Sequence, residues 1–172
     1  GVAAWLAIAA LGVGAPASAQ APAQAQAERA AAAKLAAEQA KADVAFLKAA
    51  RTAIAHGKRA EAEAMARARA RGTGDPAAAA IMIRLAADQG RYDEAIAIGQ
   101  LAAAIDPVGD AALELGLVLQ IRGRVSDARR VLAPLVNVVG AGTPENLLRA
   151  ARAARALNQT RSANALFRDA VA

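Results

Sequence analysis

The chain has 172 residues, with 21 basic against 15 acidic side chains, one His and no Cys. Alanine makes up about a third of it and aromatics 2%, which suits helices and leaves sheets without the β-branched and aromatic residues they favour. The absence of Cys removes disulfides, thiolate metal sites, thiol nucleophiles and a lipidated Cys, and one His is too few for a multi-histidine metal centre.

The chain opens on Gly1 rather than Met and stops at Ala172 within a run that reads as helix, so a fragment of a longer product is expected. Residues 1–19 carry no charge, run apolar from Val2 to Val13, and end in the small-residue signature Ala17-Ser18-Ala19. That is the pattern of a secretory signal peptide lacking its charged start, with Gln20 the first mature residue. A spanning helix needs roughly 20 apolar residues, and Gly14, Pro16 and Ser18 interrupt this run. Export to the periplasm or the cell exterior is the expectation; the alternative is a membrane anchor formed by residues 1–19. Residues 20–42 are low-complexity Ala, Gln, Glu and Lys with Leu35 the one large apolar side chain. Such a segment cannot bury a core of its own and reads as a partly helical spacer.

From residue 43 a repeat emerges. Gly57, Gly90, Gly123 and Asn158 are separated by 33, 33 and 35 residues, and five residues beyond each stands Ala62, Ala95, Ala128 or Ala163. Seven residues before each stand Ala50, Ile83, Gly116 and Ala151, and nine after stand Ala66, Gly99, Leu132 and Phe167. Gly or Asn in the left-handed conformation ends one helix and reverses the chain, and small residues let the two helices approach. Pro76 and Pro144 are placed to begin helices, where a missing N–H is harmless, and Pro107 to stop one. The period predicts four units of helix, turn and helix at residues 43–75, 76–108, 109–143 and 144–172, the last truncated. Each exposes apolar surface that a neighbour must cover.

The segment Ala87-Asp88-Gln89-Gly90-Arg91-Tyr92-Asp93-Glu94-Ala95-Ile96, continuing to Ile105-Asp106-Pro107, resembles the tetratricopeptide repeat family. So do Leu115-Gly116 with Gly123 to Arg129, and Leu157-Asn158 with Ser162 to Phe167. The resemblance covers residues 43–172. The family's aromatic sites are largely replaced here: Phe46 fills one, while Ala79, Ala112 and Leu147 occupy its equivalents. What the resemblance implies is an all-α solenoid of stacked antiparallel helix-turn-helix repeats, whose first helices face a concave groove that receives a peptide.

No catalytic set is legible. His56 sits at a helix end, where a cation suits the dipole. Ser126 and Ser162 read as turn residues without a base to activate them. Asp93-Glu94 and Ser126-Asp127 read as the opening of second helices, where negative charge and capping oxygens suit free N–H groups. Gly72-Thr73-Gly74 follows no strand and is not followed by Lys-Ser or Lys-Thr, so it is not a phosphate loop. No metal, cofactor or small-molecule substrate is expected.

All but four of the 21 basic residues are Arg. Arg51, Arg84 and Arg152 each lie six residues before their turn residue, with Leu117 fourth in that register. By the resemblance these positions face the groove, and Lys48, Arg149 and Arg155 lie within one helical turn of them. Asp88 and Asp110 fall nearby and partly neutralise the patch. The planar donor fork of Arg suits carboxylates, so the candidate groove of Lys48, Arg51, Arg84, Asp88, Leu117, Arg149, Arg152 and Arg155 is expected to take a protein or peptide, an acidic one for preference. The family's ordered Asn and Lys carboxylate clamp is absent. Arg67, Arg69 and Arg71, with Lys58 and Arg59, form a second basic group that could attract phosphate.

The expected function is therefore a non-catalytic repeat scaffold for protein–protein interaction in an exported protein. One alternative is the non-catalytic front of a longer exported enzyme such as a peptidase. Another is weak binding of anionic polymers or nucleic acid, which the scarcity of aromatics for stacking disfavours. Membrane contact is expected only through an uncleaved amino-terminal segment.

Overall fold

The computed structural model describes residues 20–70, 74–137 and 142–171, with backbone alone for 20–23. The signal-peptide expectation for residues 1–19 lies outside the described residues. Eight helices and no strand are found among the described residues: α1 (Gln20–Ala55), α2 (Arg59–Arg69), α3 (Pro76–Asp88), α4 (Tyr92–Ile105), α5 (Asp110–Ile121), α6 (Val125–Asn137), α7 (Pro144–Ala156) and α8 (Thr160–Asp169). Two compact units are distinguished, residues 1–41 and 42–172. In the first, the described backbone is helical from Gln20 and its side chains from residue 24 are nearly all exposed, as expected of a sequence with one large apolar residue.

The second unit is built on one turn used four times. Gly57, Gly90, Gly123 and Asn158 take positive φ of 77°, 75°, 71° and 60°. The residue after each donates its N–H to the carbonyl five residues earlier: Lys58 to Ala53 at 2.8 Å, Arg91 to Ala86 at 2.9 Å, Arg124 to Leu119 at 2.8 Å and Gln159 to Ala154 at 2.9 Å. The turn residue itself donates three back, to Ile54, Ala87, Gln120 and Arg155. These bonds satisfy the last carbonyls of the first helix and aim the chain backwards as the second helix begins. The inter-hairpin connections use side-chain caps instead. Asp75 accepts from the N–H of Ala77 and Ala78 at 2.9 and 3.1 Å ahead of Pro76, and Thr143 accepts from Asn146 at 3.3 Å ahead of Pro144.

Each hairpin then packs on the next. Helix α3 lies against α4 and α5, α5 against α6 and α7, and α7 against α6 and α8. From α3 onward first helices thus stack on first helices, and each second helix reaches the first helix of the following hairpin. This is an α-solenoid of antiparallel helix-turn-helix repeats, tetratricopeptide-like in its stacking. The columns of small residues sit at its centre: Ala62, Ala95, Ala128 and Ala163 are buried, as are Ala50, Ile83, Gly116 and Ala151. The largest fully buried side chains among the described residues are Ile81, Ile83, Leu113, Leu115 and Leu132. A Cβ added to Gly99 would come within 2.9 Å of Leu115, and one added to Gly116 would overlap the side chain of Leu132. These two glycines mark where helices approach too closely for any side chain.

Candidate functional site

Counting back from each turn residue, positions thirteen, nine, six and two share one face of the first helix by the helical period. Helix α1 places Val44, Lys48, Arg51 and Ala55 there, and α3 places Ala77, Ile81, Arg84 and Asp88. Helix α5 contributes Asp110, Glu114, Leu117 and Ile121, and α7 contributes Glu145, Arg149, Arg152 and Ala156.

The structure joins several of these across hairpins. Arg51 donates from Nη2 to Asp110 at 2.7 Å and lies 3.9 Å from Glu114, two hairpins further along. From the opposite side Arg149 donates to Asp110 at 3.0 Å and Arg152 to Glu114 at 3.1 Å. Arg149 also holds Asn146 and the carbonyl of Val108 at 3.0 and 3.2 Å, while its Nε is buried without a partner among the described residues. Arg84 pairs along its own helix with Asp88 at 3.1 Å. Lys48 and Arg155 are exposed and form no ion pair among the described residues. Leu117, half-buried, supplies an apolar spot between the two α5 acids and the turn.

The arrangement differs from a row of free cations. Two acids of α5 stand at its centre, and three arginines from the first and fourth hairpins close over them. Glu114 is only 5% exposed, and the cost of taking that charge out of water is met by the guanidinium groups on either side. Burial would raise the Asp110 carboxyl, but Arg149 and Arg51 outweigh it and hold the group below the ordinary carboxylate value. Sequence reasoning missed Glu114 as a member of this face. The signal was available, because Glu114 stands nine residues before Gly123, in register with Lys48 and Arg149.

Orientation by these pairs leaves donors open. Among the described residues, Arg51 and Arg152 make no hydrogen bond from Nε or Nη1, and Arg84 none from either Nη. All three are partly or half exposed. Each is held by one nitrogen, and the rest of its fork makes no hydrogen bond among the described residues.

The second basic group does not assemble. Arg69 points inward, to Asp75 at 2.7 Å, to Asp43, and over the ring of Phe46 at 4.7 Å. Burial would lower its pKa, and Asp75 and Asp43 overcome that and raise it. Arg67 pairs with Glu63 and Lys58 with Glu61, and Arg71 lies outside the described residues. Ser126 and Ser162 lie in the first turns of α6 and α8 rather than in the turns between helices. His56 is exposed in the α1–α2 turn. No group of three His, Asp or Glu able to hold a metal occurs among the described residues. Nor is any helix among them long and apolar enough to cross a membrane.

The fold thus defines a helical-repeat protein with a charged first-helix face. No family model matches the chain, and no curated protein matches it. Among solved structures it is similar to "MamA RS-1 ArsTM double mutant", with 21% identity over 75% of this chain and 73% of that one, at a TM-score of 0.45. It is also similar to "MamA 41-end from Desulfovibrio magneticus RS-1", with 20% identity, the same coverage and a TM-score of 0.45. A likeness of this degree carries no residue role from one chain to the other.

Proposed function

We propose that this chain is a non-catalytic scaffold for protein–protein interaction, and that its first-helix face receives an extended, carboxylate-bearing segment of a partner protein. The observation that carries the reading is the set of half-committed arginines. Arg51, Arg84 and Arg152 come from three different hairpins, and each is fixed through one nitrogen to an acid of the chain itself. A guanidinium already held in place loses less side-chain entropy when it takes a second carboxylate. Six cations on or beside the face (Lys48, Arg51, Arg84, Arg149, Arg152, Arg155) outnumber its four acids (Asp88, Asp110, Glu114, Glu145), so an acidic segment meets net attraction. Leu117 and the exposed Ile121 offer an apolar contact beside the charges. The uncharged apolar run in residues 1–19, ending in Ala17-Ser18-Ala19, supports placing this activity in an exported protein.

The test is binding of the full chain to an array of extended peptides varying in acidic content, read by fluorescence polarisation for the best binder. Arg84→Ala is the informative variant, because Arg84 ties no two hairpins together and its loss leaves the stack intact. Affinity is expected to fall roughly tenfold, in line with one charge-assisted contact. Absence of any preference for acidic peptides, or equal affinity in Arg84→Ala, would reject the reading.

A further inference from the structure

The turns between paired helices all fall on one edge of the stack, and that edge changes character along its length. At the second hairpin it is acidic, with Asp88, Asp93 and Glu94 around Arg91. At the third and fourth hairpins it carries Arg122, Arg124, Arg129, Arg130, Arg155 and Arg161 against Asp127. These two turns are physically joined, since the side-chain amide of Gln120, at the end of α5, donates to the carbonyl of Ala156, at the end of α7. Two branched aliphatic side chains bracket the reversal at Gly123. Ile121 is 65% exposed and Val125 57%. Neither belongs to the buried clusters, and the stacking of hairpins gives no reason for apolar groups at a turn tip.

We propose that this edge docks on an anionic lipid bilayer, with Ile121 and Val125 entering the headgroup region and the surrounding arginines meeting lipid phosphates. The shape argues for a bilayer over a peptide. The apolar pair stands on a projecting turn, which a fluid interface can envelop, and the cations lie around it where they stay at headgroup depth while the aliphatic groups go deeper. The chemistry argues against nucleic acid. Strand binding without base readout draws on aromatic stacking, and the nearest aromatic face, that of Tyr92, has Arg122 over it at 5.6 Å. Asp127 does not cancel the patch, because Arg124 and Arg130 both lean on it at 2.7 and 2.9 Å and the remaining arginines form no ion pair among the described residues. Ile121 and Arg155 lie where this edge meets the first-helix face, but Arg122, Arg124, Val125 and Arg130 belong to the turn and to α6, and bilayer docking does not depend on the function proposed for that face.

The experiment is co-sedimentation of the full chain with phosphatidylcholine vesicles, with and without phosphatidylglycerol, alongside two paired variants. Ile121→Ser with Val125→Ser removes the apolar tip, and Arg122→Gln with Arg124→Gln removes two cations. All four side chains are exposed, and unchanged helical circular dichroism confirms that the variants fold. The expected result is binding that requires phosphatidylglycerol and weakens with salt. Losing two surface cations should weaken it roughly 30-fold, and losing the two aliphatic groups at least tenfold. Absence of binding to anionic vesicles overturns the proposal. So does binding that survives either pair, since retention without the aliphatic tip identifies a general polyanion surface and retention without the arginines identifies an apolar contact elsewhere in the chain.

Discussion

The contact between Gly116 and Leu132 allows a mutational test whose sign depends on background. Gly116 lies mid-helix in α5, and a Cβ placed there would overlap Leu132, a fully buried side chain of α6. Removing glycine from a helix interior gains about 1 kcal/mol, whereas forcing a methyl group into a filled space costs about 1–3 kcal/mol. The overlap involves Cγ and Cδ2 together, so the upper part of that range applies, and Gly116→Ala is expected to destabilise by about 1–2 kcal/mol. Leu132→Ala alone opens a cavity and is expected to cost about 3 kcal/mol. In the Leu132→Ala background the new methyl group meets open space, and Gly116→Ala should then stabilise by up to ~1 kcal/mol. The coupling between the two sites is accordingly about 2–3 kcal/mol. Urea unfolding of all four proteins, followed by far-ultraviolet circular dichroism, measures it. If Gly116→Ala shifts stability in the same direction in both backgrounds, Gly116 is not there to accommodate Leu132 and the packing argument fails.

Three further outcomes follow from the same geometry. Gly90→Ala meets no atom within 4 Å and is strained only by its φ of 75°, so its cost should be about 1–2 kcal/mol; Gly90→Asn should cost clearly less, and equal losses in the unfolding midpoint would contradict this. Arg69→Lys cannot hold Asp43 and Asp75 together while covering Phe46, so melting should show a loss of about 1–3 kcal/mol, and a melting temperature equal to wild type would show the fork to be dispensable. Asp110, with its folded pKa depressed, contributes stability that is present above its unfolded value near ~3.9 and is lost as pH falls through the lower folded value. Asp110→Asn should therefore be less stable than wild type at neutral pH and flatten the acid limb of the stability curve; an unaltered acid limb would mean that the Arg51 and Arg149 pairs do not stabilise the folded state.

What could be read from the chain was whatever a residue dictates locally. A turn needing positive φ names its own occupants, so Gly57, Gly90, Gly123 and Asn158 announced the hairpins before any contact was known. Pro76 and Pro144 did the same for helix starts. The side-chain pairs were not legible in this way, because an Arg states a charge and a reach but not a target. Arg69 read as one of a cluster drawn to phosphate, whereas it turns inward to an acid 26 residues earlier and to a cap six residues later. Glu114 drew no reading from the sequence, and in the structure it is buried beneath Arg51 and Arg152, which arrive from other hairpins. With the aromatics of the repeat pattern largely replaced, the hairpins pack through close approach at glycine. Small and large residues are paired there: Gly116 lies against Leu132 within the third hairpin, and Gly99 of the second lies against Leu115 of the third.

That packing bears on how the charged face is positioned. Helices that meet mainly through methyl groups pack closely but present few shapes that fit in only one way. Directional contacts between hairpins then carry more of the task of fixing how one hairpin sits on the next. In this chain they lie on the first-helix face, where α5 acids are gripped by arginines from both directions, and at the Gln120 to Ala156 bond on the neighbouring edge. Contacts in a solenoid usually link only adjacent repeats, but Arg51 reaches an acid two hairpins away. The geometry of the three half-open guanidinium forks is therefore a property of several hairpins together. A shift anywhere between α1 and α7 is felt at the face proposed to bind a partner, and a ligand bridging Arg51 and Arg152 would in turn brace the stack against such a shift.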